Sequence, residues 1–343
     1  MYKIGICGHY GGGKNCLDGQ TIKTKIITKE LEKKYEIKKV DTFDGKKRLL
    51  SILIRLFILI KSCENIIILP AHNSLKIFVP FLIFFNIFFK RKLHYIVIGG
   101  WLSKYILKRK YLKKYLKKFH YIYVETSKMK SNLEKQGFRN IIILPNCKEL
   151  KILPENELVY NLKKPYKLCT FSRVMKEKGI ENAIEAVKSV NEQEKEIIYI
   201  LDIYGQIDKN YEEIFKKIEK NLPKYIKYKG SINFSKSVEV LKNYNILLFP
   251  TLYYTEGVPG TIIDAFAAGV PIISAKWESF DDVINEKVGI GYEFNNIDEL
   301  KKLLSEISKK IEMINSMKKD CLDEAEKYIP KVIIKKLEKI FIN

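Results

Sequence analysis

Short apolar runs alternate with helix-compatible stretches along most of this chain, and that alternation restricts its fold more than any other feature. A repeated strand–helix–strand order predicts a parallel sheet covered by helices on both faces, and it recurs in both halves of the chain. The predicted strands are Tyr2–Cys7, Ile37–Val40, Asn65–Leu69, His94–Ile98, Tyr121–Val124, Asn140–Leu144, Lys167–Ser172, Ile197–Tyr204, Tyr225–Tyr228, Ile246–Phe249, Ile272–Ser274 and Gly289–Tyr292.

Helix-compatible stretches separate these strands. After Asp298 the pattern is helical to the end of the chain, with a break expected at Pro330. The other predicted helices are Gln20–Lys34, Ser127–Gln136, Ile180–Gln193, Tyr211–Asn221, Ser235–Lys242 and Gly260–Ala268.

The length of 343 residues suits two domains of about 150 to 170 residues each. Prolines and mixed charge interrupt the rhythm at 147–165, where we expect a linker. The α/β pattern predicts two domains, each with a parallel sheet, at 1–146 and 166–325, followed by a last helix at 326–343.

Cysteine usage and overall charge bound the class of protein. The six cysteines are scattered, and none forms a C-x-x-C pair or has His neighbours at ligand spacing, so we expect neither a disulfide framework nor a metal site. Charged residues make up 30% of the chain, which favours a soluble protein. Met1 leads directly into a strand-like run, so no signal peptide is expected and the predicted location is cytoplasmic.

The positive charge is concentrated in the first half of the chain. Residues 1–150 hold 31 Lys and Arg against 10 Asp and Glu, whereas residues 151–343 hold 31 against 30. The first half is therefore expected to meet an anion: a membrane surface, a phosphorylated substrate or a nucleic acid. Nucleic acid is the least favoured, because no zinc finger, RNP-like strand or Gly-x-x-Gly clamp is visible.

Two apolar stretches lie in this basic half, at Leu49–Ile60 and Ile77–Phe89. They contain 12 and 13 residues, whereas a spanning helix needs about 20. Buried helices packed on a sheet are the favoured interpretation. The alternative is that part of this surface enters lipid.

A basic stretch at Lys104–Lys118 carries eight Lys and Arg residues, with aromatic and leucine side chains at helical spacing beside them. One interpretation is a solvated charged helix. Because the stretch lies in the half that holds the net charge, we favour docking on anionic lipid. The residues expected to contact the membrane are Lys108, Arg109, Lys113, Lys114, Lys117 and Lys118.

A glycine loop follows the first strand, with Gly11, Gly12 and Gly13 at its centre. The pattern from Gly8 to Lys14 matches most of a P-loop, in which backbone N–H groups surround a phosphate. The hydroxyl residue that should follow Lys14 is replaced by Asn15. A P-loop NTPase or kinase is therefore a minority hypothesis.

After the glycine loop, a second and a third cluster of residues, at 170–184 and 250–275, suit the binding of a nucleotide diphosphate. Arg173 and Lys178 flank a strand-to-helix turn at the carboxyl edge of the second sheet, where open α/β sheets bind ligands. They predict a diphosphate clamp, although two surface charges would give the same pattern.

The third cluster is the segment at 250–275, in which a Gly- and Pro-containing loop leads into a helix. A helix N-terminus beside such a loop offers free N–H groups and a positive dipole to a phosphate. Glu256 would face the group that the phosphate carries, and Asp264 is placed for a hydroxyl pair such as that of a ribose. The remaining predicted donor-binding residues are Gly257, Val258, Pro259, Gly260 and Thr261.

The segment EGVPGTIIDAFAAGVP resembles the donor-site signature of glycosyltransferase family 4, which has two Glu separated by seven residues. Glu256 matches the first Glu, and Asp264 stands where the second is expected. FSRVMKEKGI resembles the family's diphosphate-binding segment, in which Arg173 and Lys178 match the paired cations. IYGQ, with Gly205, resembles its strand-to-Gly turn, LPN the end of its first domain, and GGGKNCLDGQ its cleft loop.

One departure from the family pattern concerns histidine. The family often has a His after the fourth strand, where this chain has Gly99, Gly100 and Trp101. His72 follows a different strand. It either reaches the cleft or has a structural role.

The resemblance implies a GT-B fold, in which two Rossmann-like domains face a cleft and the last helix, at 326–343, crosses back to the first domain. It implies a retaining transferase without metal or cofactor, which uses a nucleotide-diphosphate sugar as co-substrate. It also implies Glu256, Arg173 and Lys178 as catalytic residues and a lipid-linked saccharide acceptor for envelope polysaccharide. With the basic first half, it predicts a peripheral protein at the cytoplasmic face of the plasma membrane. A P-loop-like NTPase and a non-catalytic sugar-nucleotide-binding module remain as alternatives.

Overall fold

The computed structural model describes residues 3–13, 18–45 and 47–342 and divides the chain into two compact units. Unit 1 comprises Met1–Glu149 and Tyr328–Asn343, and unit 2 comprises Leu150–Lys327. Within the stretch predicted as the linker, the residues from Leu150 onward belong to unit 2. The backbone N–H of Leu153, for example, donates to Ala267 O at 2.8 Å.

The described part of unit 1 contains a parallel six-stranded sheet in the order β2-β1-β3-β4-β5-β6. Its central strands are mostly apolar and mostly buried on both faces, as a helix-covered parallel sheet requires. The strands are β1 (Lys3–Gly8), β2 (Glu36–Asp41), β3 (Asn65–Ile68), β4 (Lys92–Ile96), β5 (Tyr121–Val124) and β6 (Ile141–Ile143).

Helices cover both faces of this sheet. α1 begins after Asp18, whose side chain accepts a hydrogen bond from Thr21 N at 3.0 Å and so caps the helix. The helices are α1 (Gly19–Glu32), α2 (Leu49–Ser62), α3 (His72–Phe89), α4 (Leu102–Leu107), α5 (Lys110–Leu116) and α6 (Ser127–Glu134).

The described part of unit 2 contains a second parallel six-stranded sheet, in the order β12-β11-β10-β7-β8-β9. The predicted strands of both sheets are confirmed, with ends displaced by at most two residues. The strands of unit 2 are β7 (Tyr166–Phe171), β8 (Tyr199–Tyr204), β9 (Ile226–Tyr228), β10 (Ile246–Phe249), β11 (Ile272–Ala275) and β12 (Gly289–Tyr292).

The helices of unit 2 follow the predicted positions. The helix expected at Ser235–Lys242 is shorter, because a 3-10 turn at Phe234–Lys236 precedes it. They are α7 (Ile180–Glu194), α8 (Glu212–Lys220), α9 (Ser237–Leu241), α10 (Gly260–Ala267), α11 (Ile297–Ser308), α12 (Ile311–Ser316) and α13 (Lys318–Ala325).

The last helix, α14 (Pro330–Ile342), belongs to unit 1, as expected. It packs against α1. Ile333 and Leu337 are fully buried in the same apolar cluster as Ile4 and Leu31. Burial of such side chains stabilises the unit by about 1.5–3 kcal/mol each.

The basic stretch at 104–118 is not one helix, which corrects the prediction. α4 and α5 are separated at Arg109, which leaves helical geometry with φ −129° and ψ 71° and donates its guanidinium Nη1 to Tyr105 O at 2.7 Å. Leu112, Leu116 and Phe119 are buried in the core of unit 1. Leu112 and Leu116 therefore face the protein and not a lipid surface, whereas Leu107 is 61% exposed.

Candidate active site

The sheet of unit 2 reverses its strand order between β7 and β10. These strands are hydrogen-bonded neighbours, and the chain proceeds outward from them in opposite directions. In open α/β sheets, ligands bind in the crevice at the carboxyl ends of such strands. The loops after β7 and β10 carry Arg173, Lys178 and residues 256–259, whereas Gly205 follows β8 and Asp264 lies on α10.

Two glycines allow these loops to approach closely. Gly179 has φ 66°, and a Cβ there would lie 1.8 Å from Pro250 O, at the end of β10. Gly205, after β8, has φ 138°, and its Cβ would lie 1.7 Å from Ser172 O, at the end of β7. A side chain at either position would force the facing segments apart, and the donor-binding role predicted for Gly205 stays a prediction.

Lys178 and Glu256 form an ion pair between the two loops, although 78 positions separate them in the chain. Their side chains are 22% and 12% exposed, so both charges are partly removed from water. The ammonium also lies 5.5 Å from the centre of the Phe249 ring. The predicted cation and carboxylate are therefore brought together.

Thr251 completes this group, and the sequence patterns did not indicate it. It is fully buried directly after β10. Its hydroxyl donates to Glu256 Oε1 at 3.2 Å and accepts a hydrogen bond from Tyr253 N at 3.1 Å. A buried Thr between a strand end and a Gly-Pro loop would have been the signal, since it can orient a carboxylate in the same loop.

Arg173 has a different environment. Its guanidinium Nη1 lies 3.6 Å from Asp208 Oδ2, and half of its side chain is exposed. An exposed pair of this kind is held weakly, since such pairs contribute about 0.2–1 kcal/mol. Arg173 can therefore exchange Asp208 for another anion at little cost.

The N-terminus of α10 lacks a side-chain cap. Pro259 occupies the N-cap position and provides no side-chain acceptor. The Thr261 hydroxyl in the first turn is buried, and no residue in the described part of the chain hydrogen-bonds it. Beyond the backbone of its own helix and its chain neighbours, no atom of the described residues lies within 4 Å of the place where a Cβ of Gly260 would stand. These features suit an anion that approaches the helix end.

Asp264 is 2% exposed and lies inside unit 2. Its Oδ1 accepts a hydrogen bond from the Ser237 hydroxyl at 2.8 Å, which joins α10 to α9. Ser237 was not indicated by the sequence. The shorter Asp side chain reaches a neighbouring helix, and its contact with a ribose stays a prediction.

The glycine loop of unit 1 lies at the other switch point, between β1 and β3. Asp41, at the end of β2, accepts hydrogen bonds from the N–H groups of Tyr10 and Gly12, each at 2.9 Å. Burial alone would raise the pKa of the Asp41 carboxyl, but backbone N–H donors outweigh it and hold the pKa below its usual value. A P-loop needs these N–H groups for phosphate, whereas here a carboxylate takes them. Lys14 and Asn15 lie outside the described residues.

His72 lies in the first turn of α3, beyond the carboxyl end of β3. Its ring stacks on Trp101 with centroids 3.7 Å apart, and its carbonyl accepts a hydrogen bond from the Tyr105 hydroxyl at 2.7 Å. Burial, and then the Arg109 charge, lowers the pKa of His72. The Arg109 guanidinium itself lies 3.8 Å over the Tyr105 ring, so this predicted membrane residue is packed on the protein.

Residues 155–321 match the family model described as "Glycosyl transferases group 1". An uncharacterized glycosyltransferase of Methanocaldococcus jannaschii is 28% identical over 194 residues, which cover 54% of this chain and 47% of that protein. The chain thus spans about half the length of the curated relative it matches.

Solved structures extend the similarity to both units. Sucrose-phosphate synthase of Thermosynechococcus elongatus superimposes with a TM-score of 0.77 at 13% identity, covering 99% of this chain and 98% of that one. Anabaena HepE in complex with UDP-glucose gives 0.75 at 12% identity, covering 99% of each chain. The lipopolysaccharide outer core galactosyltransferase WaaB gives 0.69 at 15% identity, covering 100% of this chain and 99% of that one.

The fold is GT-B. At these identities the structural neighbours establish the architecture alone, and the match over residues 155–321 supports the glycosyltransferase class. The matched segment of this GT-B protein contains the ion pair, Thr251 and the start of α10.

Proposed function

We propose that this protein is a retaining, metal-independent glycosyltransferase of the family 4 type, which moves a hexose from a nucleotide-diphosphate sugar to a saccharide acceptor. The observation that carries the proposal is the group formed by Lys178, Glu256 and Thr251 at the switch point of unit 2. It lies within the segment that matches the glycosyltransferase model. HepE was solved with UDP and with UDP-glucose, which supports a nucleotide-sugar donor.

The reaction requires stabilisation of opposite charges. The bond between the sugar carbon and the diphosphate oxygen breaks, a bond to the acceptor oxygen forms, and the acceptor proton passes to the leaving phosphate oxygen. Arg173, Lys178 and the start of α10 supply positive charge for the diphosphate. Because the leaving group takes the proton, this front-face route needs no pair of carboxylates such as a glycosidase uses.

The ion pair links donor binding to this chemistry. Lys178 and Glu256 neutralise each other, so a diphosphate competes with Glu256 for the ammonium. Once the diphosphate takes Lys178, the carboxylate becomes available to hydroxyls of the donor sugar. Thr251 keeps it in place during that exchange.

We further propose a lipid-linked acceptor for envelope polysaccharide and a peripheral location at the cytoplasmic face of the plasma membrane. The excess of 31 basic over 10 acidic residues in residues 1–150 supports an anionic surface as a partner. The WaaB neighbour acts on lipopolysaccharide outer core, according to its name, which favours an acceptor of related chemistry.

The P-loop NTPase hypothesis is not favoured, because Asp41 occupies two N–H groups of the glycine loop. Such an enzyme would hydrolyse ATP with magnesium and would lose this activity on Lys14→Ala. A non-catalytic binding module would bind the nucleotide-sugar donor and never transfer the sugar from it.

Titration calorimetry with UDP, GDP, ADP and dTDP, with and without EDTA, tests the proposal. We expect one of these nucleotides to bind independently of EDTA, and Arg173→Ala and Lys178→Ala each to weaken that binding. Lys217→Ala, at an exposed position on α8, is the matched control. Absence of binding, or wild-type affinity in both site variants, would rule out the diphosphate clamp.

A further inference from the structure

The outer face of α2 carries exposed apolar side chains at helical spacing. Leu50, Ile54 and Ile58 recur every four residues and are 74%, 54% and 53% exposed. The opposite face of the helix, with Leu56 and Ile60, is fully buried in the core of unit 1. The exposed residues therefore do not contribute to the packing of the helix against the core of unit 1.

The neighbouring helix α3 repeats this arrangement. Phe84, Ile87 and Phe88 are 58%, 64% and 69% exposed. The two helices meet where Phe57 of α2 contacts Phe85 of α3, with ring centroids 4.9 Å apart. Exposed apolar residues are ordinary when scattered, but a contiguous patch marks an interaction surface. We name this patch the apolar ridge, and it consists of Leu50, Ile54, Ile58, Phe84, Ile87 and Phe88.

The ridge lies in the most one-sided charge environment of the chain. Residues 45–124 contain 17 Lys and Arg and one acidic residue, Glu64. Exposed cations lie on both ridge helices, with Arg55 on α2 and Lys76 on α3. On its other side α3 packs against α5, which presents the exposed side chain of Lys114. An apolar patch bordered by cations is complementary to lipid with anionic headgroups.

Helix α3 is long and apolar enough to cross a membrane, and 28% of it is buried. Its inner face, however, packs in the core of unit 1 through residues that include Leu75, Val79 and Leu82. A spanning orientation would remove these side chains from that core. The helix can keep its packing and contact lipid only if it lies along the surface.

We propose that the apolar ridge inserts into an anionic membrane surface while the surrounding lysines and arginines contact the headgroups. The proposal adds to the proposed function the face of unit 1 that docks on the membrane. It rests on that function only for the reason why the protein would need a membrane surface. The salt-resistant part of binding then comes from α2 and α3, and the basic residues of α4 and α5 supply the screened electrostatic part. A second copy of the chain would bring the same cations to the same place, so repulsion opposes it as the occupant.

Co-sedimentation with vesicles tests the proposal. The vesicles contain phosphatidylcholine alone or with about 30% phosphatidylglycerol, at about 0.1 and 0.5 M salt. We compare the wild type with a ridge variant, Ile54→Ser, Phe84→Ser and Phe88→Ser, whose positions are all exposed. The matched control replaces exposed apolar residues of unit 2 and consists of Val159→Ser, Ile197→Ser and Ile214→Ser.

We expect the ridge variant to lose about tenfold in binding to anionic vesicles and to keep no salt-resistant fraction. The control should bind like the wild type. Replacing Lys113, Lys114, Lys117 and Lys118 by Ser should reduce binding at low salt and leave the salt-resistant fraction. Wild-type pelleting by the ridge variant, or equal loss in the control, would overturn the proposal. A dimer in sedimentation velocity that the ridge variant abolishes would assign the ridge to a second copy and overturn it as well.

A second measurement does not depend on the folding of a triple variant. Phe84→Trp adds a fluorophore to the ridge, and Phe234→Trp adds one to an exposed position of unit 2. Brominated anionic lipid should quench the added fluorescence of the first variant and not that of the second. Nucleotide titration of each variant reports on the donor site of unit 2 separately, so failure to dock can be distinguished from failure of the proposed transferase.

Discussion

Replacing Glu256 by Gln separates donor binding from catalysis and has opposite expected effects on the two. Gln retains an oxygen that can accept the Thr251 hydroxyl hydrogen bond, now 3.2 Å long, so the loop should keep its conformation. The substitution removes the charge that holds Lys178. We therefore expect the nucleoside diphosphate that the calorimetric screen selects, taken below as UDP, to bind more tightly to Glu256→Gln, because the diphosphate no longer competes with a carboxylate.

The size of the effect follows from the burial of the pair. Exposed ion pairs contribute about 0.2–1 kcal/mol, and breaking a fully buried pair costs about 3–5 kcal/mol. With 22% and 12% of the two side chains exposed, the Lys178–Glu256 pair falls between these limits. A value of about 1.5 kcal/mol corresponds to about tenfold in the dissociation constant of UDP.

Turnover should move in the other direction. Loss of the carboxylate removes the contact that we propose to the reacting sugar, and deleting one electrostatic stabiliser typically slows an enzyme by about 10² or more. Calorimetry gives the affinity, and release of UDP from its sugar donor gives the rate.

The control is Asp208→Asn, which removes the charged partner of the half-exposed Arg173. We expect its effect on UDP affinity to stay within about fivefold. If Glu256→Gln binds UDP no more tightly than the wild type, the competition argument is wrong. If it also turns over at the wild-type rate, Glu256 does not belong to the active site.

Three further predictions concern stability. Hydrogen exchange measured peptide by peptide reports the stability of each unit separately. Gly205→Ala should destabilise unit 2 by about 3 kcal/mol or more, because its Cβ would lie 1.7 Å from a carbonyl oxygen. Gly230→Ala, with φ 72° and open space, should cost only about 1 kcal/mol, and equal effects would refute the close-approach argument. Burial lowers the pKa of Lys318 to about 8, below its value of 10.5 in an unfolded chain, so the unfolded state binds more protons and unit 2 should gain stability from pH 7 to 9. That gain should be absent in Lys318→Met, and its persistence there would assign it to another group. The pKa of Asp41 is lower in the folded state, so Asp41→Asn should destabilise unit 1 at pH 7, with a difference that diminishes as the pH falls through the lowered pKa of the folded state. A difference that is the same at every pH would mean that the carboxylate charge is not what holds the glycine loop.

Much of the fold was readable from the sequence because parallel strands leave a strong local signal. A strand such as β3 or β10 is covered on both faces and must be apolar throughout, so a short run of Ile, Leu and Phe bounded by turns identifies it. The helix at Gly260 was predictable for a similar reason, since Gly and Pro residues mark its start. The family resemblance then indicated Lys178 and Glu256 individually.

The contacts between distant segments were decided only by the tertiary structure. The pairing of Lys178 with Glu256 spans 78 positions, and the binding of the Gly12 N–H by Asp41 spans 29. No local pattern encodes such pairs, because they depend on which strands become neighbours in the sheet. Asp264 is a further case, since its burial against Ser237 depends on the packing of two helices.

The membrane-facing surface shows the same division. Composition alone located the positive charge in residues 1–150, because charge is a sum over residues and needs no coordinates. It could not assign the apolar residues to an inner or outer face. Leu112 and Leu116 are fully buried, although they lie beside lysines in the sequence. Ile54 and Phe84 are exposed, although the sequence pattern predicted that their helices are buried. Periodicity determines which residues share a face of a helix, but only the packing of that helix determines whether the face is turned toward the core or toward the surroundings.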